Sequence, residues 1–144
     1  MGTMCVDGKR EITPNNLVDC SKVVVRPSMY QNAGLGAFAK ENISEGELVE
    51  HGVARVIRCD GNKDPYLFTW SEDRTKWAFC SGCAPFYNTS LTPNTRMERN
   101  FEDNTFAIYA CRDILEGEEL THKYRSLWWR DCFTDLNKSL AKIN

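Results

Sequence analysis

Residues 86–94 read Phe-Tyr-Asn-Thr-Ser-Leu-Thr-Pro-Asn, and apolar runs stand on either side. No helix or strand continues through such a segment. Asn, Ser and Thr side chains hydrogen-bond local backbone in turns, while Pro93 pre-sets a turn and removes a donor. A mid-chain loop this polar that still carries aromatics is usually held by a rigid scaffold, where binding and catalytic residues concentrate. Alone, the segment fits an ordinary connection equally well. Its company separates the two readings: Gly34-Leu35-Gly36 upstream, and Gly117-Glu118-Glu119-Leu120 leading to Tyr124 downstream.

The flanking chain reads as short strands and turns. Residues 1–21 are polar, with a Pro14-Asn15-Asn16 turn signal, and read as a loosely held arm. Lys22–Arg26 is a β-branched strand ended by Pro27. The two glycines at 34 and 36 allow a tight turn and a close approach to the backbone. A plain hairpin turn explains them too, and without a third glycine and a following helix they make no dinucleotide fingerprint. Glu50–Arg58 is extended, Cys59–Pro65 is a turn cluster, and Lys76–Cys80 is another strand. In an extended chain Tyr66, Phe68 and Trp70 share one face. Thr95–Phe101 and Thr105–Cys111 form a hairpin about Glu102-Asp103-Asn104, with Phe106, Ile108 and Ala110 inward. The one predicted helix is Thr134–Ala141, capped by Thr134.

One pattern occurs twice. Ala39, Ile43, Glu45, Gly46 and Glu47 recur at the same offset as Ala110, Ile114, Glu116, Gly117 and Glu118. Two copies make no solenoid. They read as one turn chemistry used twice, with glycine at the positive-φ position.

Composition narrows the class. A chain of 144 residues with 26% charged residues and a net charge of −2 is a single globular domain without the basic face that nucleic-acid binding needs. No apolar run is long enough to span a membrane, and the first residues carry no signal-peptide pattern. Seven cysteines at irregular spacing then read as reduced thiols of an intracellular protein, in nucleus or cytoplasm. Cys80-Ser81-Gly82-Cys83 could hold zinc if Cys59, Cys111 or a histidine completed the set. His51 and His122 show no partner pattern, and Glu116, Glu118 and Glu119 read as turn residues facing water.

In order along the chain, four segments resemble a SET domain, the fold of a large group of protein-lysine methyltransferases. They are Gly34–Ala39 with Ile43-x-Glu-Gly-Glu-Leu-Val49; Asp64–Phe68; Phe86-Tyr-Asn88-Thr-Ser90 with Pro93-Asn94; and Gly117-Glu-Glu-Leu-Thr-His-Lys-Tyr124. The resemblance implies a mainly β fold of small curved sheets with a C-terminal pseudoknot, here followed by a short helix. It divides the chain into an arm (1–21), a SET-like catalytic domain (22–133) and a helical end (134–144). Lacking a cysteine-rich segment after the domain, the chain is similar to the minimal viral type.

The same resemblance implies S-adenosyl-L-methionine as methyl donor. Leu35 and Gly36 would offer it backbone groups, Asn88 would bind its polar end, Thr89 would contact adenine through the main chain, and Trp129 would cover the ring. Tyr124 would be the catalytic residue. Tyr66, Phe68, Tyr87 and Trp128 would wall the channel for the lysine of a protein or peptide, histone tails being one such substrate class. An aromatic channel suits this chemistry because desolvation disfavours the ammonium and so favours the neutral, nucleophilic amine. Other readings stand beside these. Tyr66, Phe68 and Trp70 fit core packing, and Trp128-Trp129 fits a plug or a homodimer contact. Thr89 stands where the family usually has histidine and Lys123 where it often has aspartate, which suits a catalytically weakened cofactor- or peptide-binding module. A zinc-stapled β domain built on Cys80 and Cys83 is the third reading.

Overall fold

A computed structural model describes residues 12–30, 33–58, 60–62 and 64–123. The predicted helix at 134–141, with Tyr124, Trp128 and Trp129, lies outside the described residues. The mainly β reading holds. Strands β1 (Val23–Pro27), β2 (Leu35–Ala39), β3 (Leu48–Ile57), β4 (Phe68–Thr69), β5 (Trp77–Cys80), β6 (Asn88–Thr89), β7 (Thr95–Asn100), β8 (Thr105–Ala110) and β9 (Glu119–His122) form two sheets. One runs β1-β2-β9-β6 and the other β4-β5-β3-β8-β7. Among the described residues no helix is long and apolar enough to cross a membrane.

Local chemistry accounts for the edges. β1 runs one residue further than expected, through Pro27, which is tolerable because β1 is an edge strand. The β7–β8 hairpin turns through Asn104 at φ 55, a left-handed conformation that asparagine adopts more readily than most residues. Asn104 Oδ1 also accepts the Trp70 indole N–H at 3.0 Å. Phe106, Ile108 and Ala110 are buried as predicted, and they meet Val49, Trp70, Tyr87 and Leu120 in one core. Of the stretch read as a loose arm, residues 17–21 are pinned to β3. Asp19 and His51 exchange backbone hydrogen bonds of 2.9 and 3.1 Å, and the Leu17 carbonyl lies 3.2 Å from His51 Nδ1.

The repeated turns prove to be each other's partners. Ile43 and Ile114 exchange N–H···O bonds of 2.8 and 2.7 Å. The Gly46 N–H donates to the Ala110 carbonyl, and the Gly117 N–H donates to the Ala39 carbonyl, both at 2.8 Å. Even the side-chain caps correspond: Asp113 Oδ1 accepts the Glu45 N–H and Asn42 Oδ1 accepts the Glu116 N–H, both at 2.8 Å. Each copy thus satisfies backbone groups that the other leaves open, which buried backbone requires. This local two-fold joins the start of β3 to the start of β9, and it fixes where β9 meets β6.

Candidate active site

β6 and β9 pair in parallel, Asn88 opposite Thr121 and Thr89 opposite His122. The Ser90 N–H extends the contact by donating to the His122 carbonyl at 3.1 Å. The loop singled out in the sequence is thereby laid along the Gly-Glu-Glu-Leu run. Asn88 Nδ2 reaches Glu119 Oε2 at 2.9 Å, the Leu35 carbonyl at 3.1 Å and Ser28 Oγ at 3.2 Å. Glu119 also accepts from Ser28 Oγ at 2.7 Å and from the Met29 N–H at 2.8 Å. Gly36 is the floor of this cluster. A Cβ there would collide with the Glu119 carboxylate and lie 3.2 Å from Asn88 Nδ2. The second glycine of the Gly-x-Gly thus lets the Glu119 carboxylate and the Asn88 amide pack directly against the backbone.

Asn94 braces the arrangement from behind. It is buried, its Nδ2 donates to the Glu119 carbonyl at 2.9 Å, and its Oδ1 accepts the Thr121 N–H at 2.8 Å. Thr95 Oγ1 donates to the Thr121 carbonyl at 2.8 Å. Side chains thus complete the hydrogen bonding of β9 beside its short ladder with β6. A cleft of 360 Å³ opens next to Glu119, lined by Tyr30, Ser90, Thr92, Arg112 and Thr121 among others. Partial burial, with the Glu119 charge beside it, raises the Tyr30 phenol above its usual range.

A buried aromatic layer carries the other half of the predicted set. The His122 ring lies 6.1 Å edge-on from Phe68 and 5.8 Å from Tyr87. Burial, helped by the Arg99 charge, pushes its imidazole down to about 3, so it is neutral at physiological pH. The Tyr87 hydroxyl donates to Glu50 Oε1 at 2.8 Å, and Glu50 Oε2 accepts the Cys83 N–H at 2.7 Å. Burial drives Glu50 up to about 7, and the hydrogen bonds it accepts offset that only in part. Tyr87 is pushed well above its usual range, by burial first and then by the Glu50 charge.

The expected single face of Tyr66, Phe68 and Trp70 does not form. Only Phe68–Thr69 is extended, because Asp64 captures the Tyr66 and Leu67 amides and turns the chain. Tyr66 is half exposed with its ring 6.1 Å from Phe86, whereas Trp70 is buried edge-on against Phe101. The described residues therefore bring Leu35, Gly36 and Asn88 together around Glu119, whereas Thr89 pairs with His122 one residue further along β6. Phe68 and Tyr87 meet across His122. Tyr66 stands at the rim.

The SET domain profile matches residues 34–125, most of the chain. The chain belongs to the SET domain family. A Schizosaccharomyces pombe relative of this SET domain, named as an H3 lysine-4 specific histone-lysine N-methyltransferase, is 37% identical over 106 residues, covering 63% of the chain and 12% of the relative. The Chaetomium thermophilum histone-lysine N-methyltransferase EZH2 is 30% identical over 142 residues, covering 85% and 9%. Among solved structures, the Polycomb repressive complex 2 of Chaetomium thermophilum in an autoinhibited conformation bound to S-adenosylmethionine superposes with TM-score 0.60 at 27% identity. That match covers 85% of this chain and 17% of the other. The SET domain described here spans about a tenth of the curated relatives it matches.

Four residues outside the predicted set shape the site. Glu119 does not simply face water; it anchors Asn88, Ser28 and Met29. Its position directly before the buried Leu120, as the first residue of β9, is the available signal, since an acidic residue entering a buried sheet needs partners. Asn94 is the brace, a role that Pro93-Asn94 alone does not reveal. Glu50 follows the apolar pair Leu48-Val49 and His122 sits between Thr121 and Lys123; both are buried, where a polar side chain has to be satisfied from elsewhere.

Proposed function

We propose that this SET domain transfers methyl groups from S-adenosyl-L-methionine to the side-chain amine of a protein lysine, with histones as the substrate class. The observation that carries the reading is the Asn88 cluster: an amide, a carboxylate and the Leu35 carbonyl converge over Gly36. Such a set fits the amino-acid end of the donor. Its ammonium group needs acceptors of the Glu119 and carbonyl type, which the cluster presents beside Gly36. When bound, the cofactor supplies a sulfonium methyl open to displacement by an amine.

This chain's own residues would do the rest. Asn88 and the backbone at Leu35, Gly36 and Thr89 would orient the donor, and Trp129 would cover its adenine. Tyr66, Phe68, Tyr87 and Trp128 would wall the lysine channel. Neutral His122, packed between Phe68 and Tyr87, adds no positive charge to repel the incoming amine. Tyr124 would direct its hydroxyl to the amine, so that alignment at near-attack distance supplies much of the rate. A histone substrate would place the protein in the nucleus. Thr89 and Lys123 favour a second reading, a cofactor- or peptide-binding module with weakened transfer.

One experiment separates the two. The protein is incubated with methyl-labelled donor and recombinant histones, and the label is located by mass spectrometry. Transfer to lysine that is lost in Tyr124→Phe, while the donor still raises the melting temperature of the variant, supports the enzyme. Donor binding without transfer by the wild type supports the module, and absence of both defeats either reading.

A further inference from the structure

Cys83 was paired in sequence with Cys80, but the fold pairs it otherwise. Cys80 is buried in the core of the β5 sheet. The Sγ atoms of Cys20 and Cys83 and a Glu50 carboxylate oxygen all lie within 4.8 Å of one another. These groups come from three separated parts of the chain. Cys20 belongs to the segment pinned to β3 by the Asp19–His51 bridge, Glu50 lies within β3, and Cys83 begins the 3₁₀ turn Ala84–Phe86 that leads to Asn88. We propose that Cys20, Glu50 and Cys83 form a zinc site that fastens the segment before β1 to the loop carrying Tyr87 and Asn88.

Three features favour a built site over chance proximity. First, the carboxylate is oriented from outside: Glu50 Oε1 is held by the Tyr87 hydroxyl and Oε2 by the Cys83 N–H. Such supporting bonds fix the direction of a metal ligand, and a carboxylate with its several lone pairs keeps one free for a cation. Second, Gly82 clears the space. It has φ 65, and a Cβ there would crowd Glu50 Oε2 and lie 3.4 Å from Cys20 Sγ. Third, both thiols are half-buried while Glu50 is buried, which gives the ion an entry path and a fourth position open to water.

The donor chemistry selects the ion. Two thiolates with one carboxylate suit Zn²⁺, whereas Mg²⁺ and Ca²⁺ prefer sets made of oxygen. Binding forms two Zn–S bonds and one Zn–O bond. Each thiol releases its proton to solvent, so two thiol protons leave per ion and no electron moves.

Cobalt(II) chloride, added anaerobically to the reduced full-length protein, serves as a visible stand-in for zinc. The expected result is a sulfur-to-cobalt charge-transfer band that saturates at one equivalent and is bleached by Zn²⁺. Cys20→Ser and Cys83→Ser should each lose the band, and Cys111→Ser, at an exposed thiol, should keep it. Zinc should also raise the melting temperature of the wild type and not that of Cys20→Ser. No band in the reduced wild type would overturn the proposal, and that outcome does not depend on any variant folding. A band that survives Cys20→Ser would overturn it too, by moving ligation elsewhere.

Discussion

The two Ile-x-Glu-Gly-Glu turns begin alike and leave differently. Glu47 closes the first and pairs with Lys22 at 2.7 Å; Glu118 closes the second and pairs with Arg112 at 3.2 Å. Up to that point each is the other's hydrogen-bonding counterpart. The first then runs directly into Leu48 and β3, whereas the second places Glu119 before Leu120. That one interposed residue holds Asn88, Ser28 and Met29. The shared part of the repeat is scaffold, and the site begins where the copies part.

The largest expected effect tests that division. Glu119→Ala should weaken S-adenosyl-L-methionine binding, measured by calorimetry, roughly 10- to 100-fold, as expected for lost hydrogen bonds to a charged group. Glu118→Ala removes an exposed pair of the kind worth ~0–1 kcal/mol, and should change that affinity by less than about threefold. Equal losses in both variants would mean that the turn as a whole, and not the interposed carboxylate, supports the site.

Legibility in the sequence followed the range of the interactions. The β7–β8 hairpin and the glycines at 46 and 117 were readable because turn chemistry is local, and their φ values of 82 and 90 agree. The Asn88 loop was readable as a site from its mix of polar and aromatic residues, but the short strand β6 (Asn88–Thr89) inside it was not, because its pairing with β9 is long-range. Glu119 was misjudged because its partners come from residues 28, 29 and 88, which no local pattern joins to it. The aromatic face at 66–70 failed for the opposite reason, a local capture by Asp64 that turns the chain and delays the start of β4 to Phe68. The C-x-x-C at 80–83 suggested a pairing that a buried Cys80 does not make, since burial is decided by β5 pairing with β3.

Beyond the divergence, the two strands converge on one side chain. Glu50 stands two residues past Leu48, and His122 two past Leu120. Glu50 bonds the Tyr87 hydroxyl and His122 packs on the Tyr87 ring. Their titrations act in opposite directions on stability. The His122 pKa falls from 6.5 unfolded to about 3 folded, so its contribution is complete above 6.5 and is lost as pH drops toward 3. The Glu50 pKa rises from 4.5 to about 7, so its contribution is complete below 4.5 and is lost as pH climbs through 7. In the metal-free protein the two should largely cancel between 4.5 and 6.5, giving a flat profile of urea midpoint against pH. Glu50→Gln removes one arm, and its midpoint should then climb steadily with pH through that window. A flat profile in the variant would show that His122 is not the group that opposes Glu50.

The smallest effect tests the shared part of the repeat. Gly46 and Gly117 have positive φ, yet a Cβ at Gly46 meets nothing within 4 Å and one at Gly117 meets only Arg26 Nη2, at 4.0 Å. Alanine at either position should therefore act through backbone strain alone, at about 1–2 kcal/mol, and the two losses should agree within about 0.5 kcal/mol. Because each turn donates to a carbonyl beside the other, loosening one also strains its counterpart. The double variant should thus lose less than the sum of the single variants, with a coupling above the ~0.3–0.5 kcal/mol typical of independent sites. Additive losses in urea denaturation would mean that the two turns merely share a sequence, and that their exchange of hydrogen bonds contributes nothing cooperative to the fold.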